Sequence, residues 1–264
     1  MIRGAGALML LVVSIEGTRA AELQPQTVQA FDRYIRQAEA RIDQRVRPGG
    51  QFLWADEDPQ RAAQVRAGKA AIANAGGDGT VAVPDGLIHD WIGAVFIPGT
   101  NLTRTLAFLQ DYDHNRDYYK PEVMASRLIS RDGNNFKVYL RLMKKKVVTA
   151  ILDTDYDIRY FALDKTRSYS RAYSTRIAEV ENAGQQNEHT LPPGNDHGFL
   201  WRLDSYWRFE ERDGGVYVEC EAISLTRSIP TGLGWLIEPI IRSLPRESLE
   251  NTLVQTRRAL TAAQ

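Results

Sequence analysis

The second half of the chain is a succession of strand-like segments joined by tight turns, and one long apolar segment of helical spacing follows it. The strand-like segments alternate apolar with polar residues, and they cover residues 123–131, 136–143, 147–159, 169–180, 199–211 and 215–226. Turn signals at Asp132-Gly133-Asn134 and Asp213-Gly214 separate neighbouring segments. Because strands joined by hairpins run antiparallel, this order predicts an antiparallel meander.

The turn at Asp213-Gly214 predicts which residues of the last hairpin share a face. It pairs Phe209 with Val218, Trp207 with Cys220 and Leu203 with Ser224 on one side, and Arg208 with Glu219 and Tyr206 with Glu221 on the other. We interpret the sheet as having a dry face and a wet face. The polar patch, Arg202, Asp204, Tyr206, Glu219 and Glu221, then lies on the solvated outer face, or on a polar cavity floor if a β-bulge inverts the faces.

A second hairpin, with Lys144-Lys145-Lys146 as its turn, extends the same two faces. This turn pairs Leu140 with Ala150 and Val138 with Leu152 on the apolar face, and Lys137 with Asp153 on the polar face. A dry face must be covered, and residues 233–260 are the only long apolar segment left to cover it. The sequence therefore predicts an α+β fold in which a curved antiparallel sheet wraps around a long C-terminal helix.

Four stretches of the chain resemble a known family. They are the opening strand IHDWIGAVFIP, the helical FLQDYDHNRDYYKPEV, the hairpin FLWRLDSYWRFEERDGGVYVECEAISLTR and the closing PRESLENTLVQTRRAL. From about Leu87 to Leu260 the chain is similar to the START and polyketide cyclase-like superfamily, which has the helix-grip or Bet v 1-like fold. The resemblance implies a cavity between the sheet and the last helix. In that superfamily the cavity holds lipids, sterols, quinones or polyketides, and in a minority of families it carries out cyclase or hydrolase chemistry.

Large apolar side chains on the dry face are the candidate ligand contacts. They are Trp91, Phe136, Val138, Leu140, Leu142, Trp201 and Trp207 on the sheet, with Trp235, Leu236 and Ile240 on the last helix. We hypothesise a carrier for a small hydrophobic or amphipathic ligand such as a lipid, a quinone or a polyketide-like molecule. A filled core without a cavity is the structural alternative. The alternative function is an enzyme of the cyclase, aromatase or hydrolase type, in which Tyr206, Glu221 or Arg141 would face inward and act on the bound ligand.

The first part of the chain predicts export and an added element. Arg3, an apolar run and Thr18-Arg19-Ala20 are typical of a signal peptide over residues 1–20, cleaved near Ala20 and Ala21, which favours a secreted or periplasmic location. Residues 21–85 form an extension before the helix-grip domain at 86–264: an amphipathic helix at 28–46, and a short hairpin from 68–72 and 80–83. An envelope interaction module that uses this helix is a further alternative.

Composition and motifs exclude several other functions. Lysine plus arginine number 33 and aspartate plus glutamate number 33, so no excess of positive charge favours nucleic acid. The segment Asp111–Glu122 has calcium-loop spacing but carries Arg116 where the loop needs glycine, and we interpret it as a capped helix end. We identify no metal site, no cofactor motif and no catalytic residue. Oligomeric state and transient membrane or envelope-protein contact are left open.

Overall fold

The fold consists of a long antiparallel sheet with helices on both faces. A computed structural model describes residues 21–75, 80–145, 149–228 and 234–262, with side chains from residue 243 onward in the last range. The described helices are α1 (Pro25–Val46), α2 (Pro59–Arg66), α3 (Leu102–Leu109), α4 (Asn115–Tyr118) and α5 (Gly234–Ala262), with short 3-10 helices at Trp54–Glu57 and Tyr112–His114. Among these helices, none has the length and apolar character needed to cross a membrane.

The strands form one large sheet and a small two-stranded ribbon. They are β1 (Ala21–Glu22), β2 (Ala71–Asn74), β3 (Thr80–Val83), β4 (Gly86–Pro98), β5 (Val123–Asp132), β6 (Asn135–Lys145), β7 (Thr149–Ala162), β8 (Arg167–Glu181), β9 (His189–Thr190), β10 (Asn195–Asp196), β11 (Arg202–Arg212) and β12 (Gly215–Arg227). The sheet order is β2-β4-β12-β11-β8-β7-β6-β5, with β9 added beside β8 and with β1 paired to β10. The predicted α+β helix-grip architecture is confirmed.

The predicted hairpin at residues 68–72 and 80–83 is wrong. Strand β2 pairs with β4 from Ala94 to Trp91, and β3 pairs with β4 from His89 to Gly86. Both run antiparallel to β4, so they are successive pieces of one edge strand rather than partners of each other. Each piece completes hydrogen bonds that β4 would otherwise leave open at the sheet edge.

One predicted register is confirmed and another is shifted. In the β11–β12 hairpin, Trp207 lies opposite Cys220 and Arg208 opposite Glu219, as predicted. Between β6 and β7, Leu140 lies opposite Thr154, Val138 opposite Tyr156 and Lys137 opposite Asp157, not Ala150, Leu152 and Asp153. Lys144 and Lys145 continue the strand instead of turning. Because the displacement is even, every side chain keeps its predicted face.

Helix α5 crosses the sheet over β4. A Cβ placed on Gly93 would lie 2.7 Å from Cδ1 of Leu253, so a larger residue here would force the leucine side chain to move. The cluster around this crossing contains Leu249, Leu253 and Leu260 together with the β4, β6 and β12 side chains Val95, Ile97, Phe136, Val138, Val216 and Val218. We call this side of the sheet the α5 face.

The opposite side of the sheet, the outer face, is covered by residues 21–75. Phe31, Ala38 and Ile42 of α1 pack against Ile88, Tyr206 and Ile223. Further along the sheet, the segment around Trp54 packs against Phe96 and Tyr217. The predicted solvated patch is therefore buried: its members Asp204, Tyr206, Glu219 and Glu221 are all under 9% exposed. Sequence reasoning placed these residues on the correct face but missed the layer above them.

Candidate ligand site on the α5 face

The α5 face is densely packed at the end of the sheet that contains Phe136. The ring of Phe136 makes edge contacts with Tyr112 and Tyr160, both at 5.5 Å between centroids. The hydroxyls of Tyr112 and Tyr160 are 2.9 Å apart, and the hydroxyl of Tyr119 lies 2.9 Å from Oγ1 of Thr256 on α5. This end is a closed core held by aromatic and hydroxyl contacts.

The α5 face also carries large side chains that are less completely covered. Trp91, Leu140, Ile158 and Trp207 pack against the core but stay partly exposed. Trp207 stacks on Phe209, and its Nε1 donates to Oγ of Ser205 at 3.3 Å. Three of the candidate ligand contacts, Trp91, Leu140 and Trp207, are thus partly exposed on this face, while Phe136, Val138 and Leu142 are buried.

A polar group lies among these apolar side chains. Tyr156 is 7% exposed and lies on the α5 face opposite Val138. Thr154, two residues earlier, donates its hydroxyl to the carbonyl of Leu140 at 2.8 Å, and the hydroxyl of Tyr156 has no hydrogen bond of regular geometry. Burial raises the pKa of Tyr156 well above its usual value, so the group is a neutral donor. A buried donor of this kind can bind one polar atom of an otherwise apolar molecule.

Four of the candidate ligand contacts are not found at this site: one lies on the outer face, and the side chains of the other three lie outside the described residues. Trp201 lies on the outer face with Phe31 and Ile42, and its Nε1 donates to Oδ1 of Asp196 at 2.9 Å. The alternation does not extend to it because β11 begins only at Arg202. Trp235, Leu236 and Ile240 belong to α5, but their side chains lie outside the described residues.

The residues considered for an enzyme point away from the α5 face. The hydroxyl of Tyr206 donates to Glu39 of α1 at 3.2 Å, and Glu221 forms an ion pair with Arg41. Arg141 binds Asp153 through Nε and Nη2 at 2.7 and 2.9 Å. The hypothesis that these residues act inside the cavity is therefore wrong.

The outer face carries a buried network that sequence reasoning missed. Nη2 of Arg208 lies 2.7 Å from Oε1 of Glu219, whose two oxygens accept the backbone N–H groups of Trp54 and Ala55 at 3.1 and 3.0 Å. Nearby, Asp90 accepts from the hydroxyl of Tyr34 at 2.8 Å and from Arg41 at 3.2 Å. This network joins the N-terminal layer to the sheet.

Burial within this network changes how one acid titrates. Asp90 and Glu221 share the single guanidinium of Arg41, and both carboxylates are about 1% exposed. Burial, together with the charge of Glu221, raises the pKa of Asp90 to about 7. Oδ1 of Asp90 has no partner among the described residues, which leaves a place for the proton.

Other motifs in the sequence also serve structural contacts. The ring nitrogens of His89 lie 3.1 Å from Oγ1 of Thr226 and 3.3 Å from Oγ1 of Thr80. In the calcium-like segment, Oδ1 of Asp113 accepts the N–H of Leu128 at 2.8 Å, and Glu122 pairs with Lys144. Across the described part of the chain, three or more acidic, histidine or cysteine side chains never converge as a metal site would require.

Arginine and tyrosine side chains of β8 also make contacts within the protein. Arg171 binds Asp43 of α1, and the hydroxyl of Tyr173 donates to Glu39. The ring of Tyr169 stacks on Phe161 with centroids 4.6 Å apart. These contacts tie β8 to α1 and β7.

Comparisons with known proteins give similarities of structure only. No family model and no curated protein matches the sequence. Among solved structures, TTHA0849 from Thermus thermophilus has a TM-score of 0.47 at 16% identity, covering 66% of this chain and 97% of its own. A STAR-related lipid transfer protein fragment from Xanthomonas axonopodis has a TM-score of 0.45 at 19% identity, covering 72% and 98%. The Zhui aromatase/cyclase from Streptomyces sp. R1128 has a TM-score of 0.42 at 9% identity, covering 66% and 93%.

The assignment of the fold rests on the topology of this chain. A long strand and short helices precede an antiparallel meander, and the last helix crosses one face of the resulting sheet. Residues 21–75 add a second layer on the outer face. The chain has the helix-grip fold, with an N-terminal layer packed on the outside of the sheet.

Proposed function

We propose that this chain binds a small hydrophobic or amphipathic ligand between the α5 face and α5. The observation that carries the proposal is the group of large side chains, Trp91, Leu140, Ile158 and Trp207, that stay partly exposed on a face otherwise closed by α5. Aromatic and aliphatic walls of this type supply most of the contact area in small-molecule sites. The buried hydroxyl of Tyr156 would orient a single polar group of the ligand.

The ligand class follows from the chemistry of this wall. Its surface is mainly apolar, and the hydroxyl, thiol and indole groups among its side chains are neutral. The charged side chains Lys144 and Glu179 lie on the same side of the sheet, but each already has partners: Lys144 pairs with Glu122, and Glu179 accepts from the backbone of His197 and Phe199. A molecule with a long apolar part and one polar oxygen, such as a lipid, a quinone or a polyketide-like compound, fits these properties better than a multiply charged metabolite does.

Two experiments test ligand binding. Native mass spectrometry of the protein purified under mild conditions should detect a lipid-like adduct, and the fluorescent amphiphile 1-anilinonaphthalene-8-sulfonate should bind saturably to the folded protein. Leu140→Trp should abolish binding of the probe, because the larger ring fills space on the apolar wall of the site. Leu163→Trp is the matched control, since Leu163 is 38% exposed at the far end of β7 and should leave binding unchanged. Absence of both adduct and probe binding would reject the proposal.

We further propose that the chain acts after export. Residues 1–20 supply a basic start, an apolar run and a small residue at position 20. Ala21 pairs with Asp196 across the β1–β10 ribbon, so cleavage after Ala20 would leave every described element in place. N-terminal sequencing of the protein from the exported fraction of a bacterial host should begin at Ala21. A chain retained inside the cell with residues 1–20 intact would contradict this proposal.

A further inference from the structure

A surface segment closes one end of the α5 face. We call residues 189–201 the strap; it contains β9 and β10 and leads into β11. Leu200 of the strap is 8% exposed and packs against Leu142, Leu152 and Ile177. Leu140, one of the partly exposed side chains of the proposed site, borders this cluster as well as the main core. Leu200 therefore forms the end wall of the region in which the ligand is proposed to bind.

A buried carboxylate makes three of the hydrogen bonds that hold the strap at this position. Glu179 lies opposite Leu152 in the sheet and is 4% exposed. It accepts the backbone N–H of His197 at 3.1 Å, Nδ1 of His197 at 2.8 Å and the backbone N–H of Phe199 at 3.0 Å. Three hydrogen bonds to one buried carboxylate fix the residues that immediately precede Leu200.

Other contacts anchor the strap to β12 and to the outer face. The N–H of Arg227 donates to the carbonyl of Gly198 at 2.9 Å, and the N–H of Trp201 donates to the carbonyl of Leu225 at 2.8 Å. Oδ1 of Asp196 accepts the N–H of Gly198 at 2.7 Å and Nε1 of Trp201 at 2.9 Å. Strand β10 pairs with β1, and the N–H of Leu23 donates to Gly194 at 2.6 Å. These contacts hold the strap from the side of β10 and β12, and Glu179 holds residues 197 and 199 from the side of β8. Loss of the Glu179 contacts would therefore loosen the packing of Leu200 while the rest of the strap stays attached.

We propose that the strap is the gate of the ligand site and that Glu179 is the latch that keeps it closed. This inference rests on the ligand-binding function proposed above. Opening moves Leu200 away from Leu142 and Ile177 and connects the space beside Leu140 to solvent. The latch residue touches the strap and not the ligand, so it controls the rate of entry and exit and leaves the equilibrium affinity nearly unchanged.

The test measures rates and affinity separately. Stopped-flow mixing of the protein with 1-anilinonaphthalene-8-sulfonate gives the association and dissociation rate constants, and their ratio gives Kd. Glu179→Gln keeps the shape of the side chain and removes its charge, and charge-assisted hydrogen bonds are roughly twice as strong as neutral ones. Both rate constants should rise together by about tenfold, the factor that corresponds to losing roughly one hydrogen bond. Hydrogen exchange of the Phe199 and Leu200 amides should accelerate by a similar factor.

Matched controls separate the gate from other roles. Glu188→Gln alters a carboxylate in the same connection that binds Arg141 and the N–H of Gly184 and makes none of the latch contacts, so its rates should equal those of the wild type. If Glu179→Gln does not fold, His197→Gln removes one latch bond and should raise both rates by a smaller factor. Unchanged rates in a folded latch variant, or a changed Kd with an unchanged association rate, would overturn the gate and leave ligand binding intact. A wild-type protein that does not bind the probe would reject ligand binding, and the gate with it.

Discussion

Arg208 and Glu219 form an ion pair that is almost completely buried: Nη2 and Oε1 are 2.7 Å apart, and the two side chains are 1% and 0% exposed. The pair lies between the sheet and the 3-10 helix at Trp54–Glu57, whose N–H groups Glu219 also accepts. Removing one member of such a pair leaves an uncompensated charge in a dry environment. The pair therefore makes the stability of the sheet depend on the N-terminal layer.

The first prediction concerns the loss of this arginine. Arg208→Met should lower the free energy of unfolding by about 3 to 5 kcal/mol, because Glu219 and the neighbouring Glu221 lose their buried cation. Adding Glu219→Gln should restore part of this loss, since the amide is uncharged and its oxygen can still accept one of the two N–H groups of Trp54 and Ala55. Urea unfolding curves of both variants measure the effect. Equal stability of the wild type and the single variant would show that the pair is hydrated.

The second prediction concerns pH. The folded state raises the pKa of Asp90 from 3.8 to about 7, and that of Asp204 likewise to about 7. The folded protein therefore holds protons that the unfolded chain has released between about pH 4 and 7, and stability falls as the pH rises through this window. For Asp90 the fall amounts to at most about 4 kcal/mol, at about 1.4 kcal/mol per pKa unit.

A neutral variant isolates the contribution of Asp90. Asp90→Asn should reduce the slope of stability against pH without abolishing it, because Asp204 still titrates in the same window. Asp157→Asn is the control, since Asp157 pairs with Lys137 at the surface and should leave the slope unchanged. Thermal melts at pH 5, 6, 7 and 8 test both. A wild-type protein that becomes more stable from pH 5 to 7 would contradict the assignment.

The third prediction tests the grip of α5 on the sheet. Leu253 is 0% exposed over Gly93, whereas its neighbour Val254 is 44% exposed. Leu253→Asp should unfold the protein or lower its stability by more than about 4 kcal/mol, because it buries an unpaired charge. Val254→Asp should change stability by about 0.5 kcal/mol or less. Circular dichroism melts distinguish the two positions, and similar melting temperatures would argue against this helix orientation.

The fourth prediction tests whether α1 is part of the core. Ile42 of α1 is 2% exposed on the side of the helix that faces the sheet, and Ile35 of the same helix is partly exposed. Ile42→Ala should cost about 2 to 5 kcal/mol, and Ile35→Ala less than half of that. Chemical denaturation gives both values. Near-zero cost at both positions would favour the alternative in which this helix serves a partner rather than the sheet.

Local patterns predicted much of the sheet and of α5. The two-residue turn at Asp213-Gly214 fixed the pairing of Trp207 with Cys220, because a tight hairpin allows one register. The predicted β6–β7 register is wrong because Lys144 and Lys145 continue the strand instead of forming a turn. A charged side chain at a strand end is as compatible with strand pairing as with a turn. Leu140 still lies on its predicted face, because the register is shifted by an even number of residues.

The outer layer could not be predicted because a charged residue that alternates with apolar residues can be either solvated or buried in an ion pair. Arg208 and Glu219 alternate with apolar residues as solvated side chains do, and only a contact more than 150 residues away in sequence, at Trp54 and Ala55, shows that they are buried. The stripe Phe31, Ala38 and Ile42 predicted that α1 docks but not on which surface. Glu179 left a weak signal: an acid between Ala178 and Val180 in an apolar strand end.

The ion pair between Arg41 and Glu221 joins residues 180 positions apart in the sequence. Helix α1 is synthesised among the first elements, yet its binding surface needs β4, β11 and β12, and the last of these ends at Arg227. Docking of α1 therefore depends on contacts of high sequence separation, which form slowly. Until β12 has emerged, the surface that α1 binds is incomplete, so the nascent protein leaves part of the apolar side of α1 exposed for most of its synthesis.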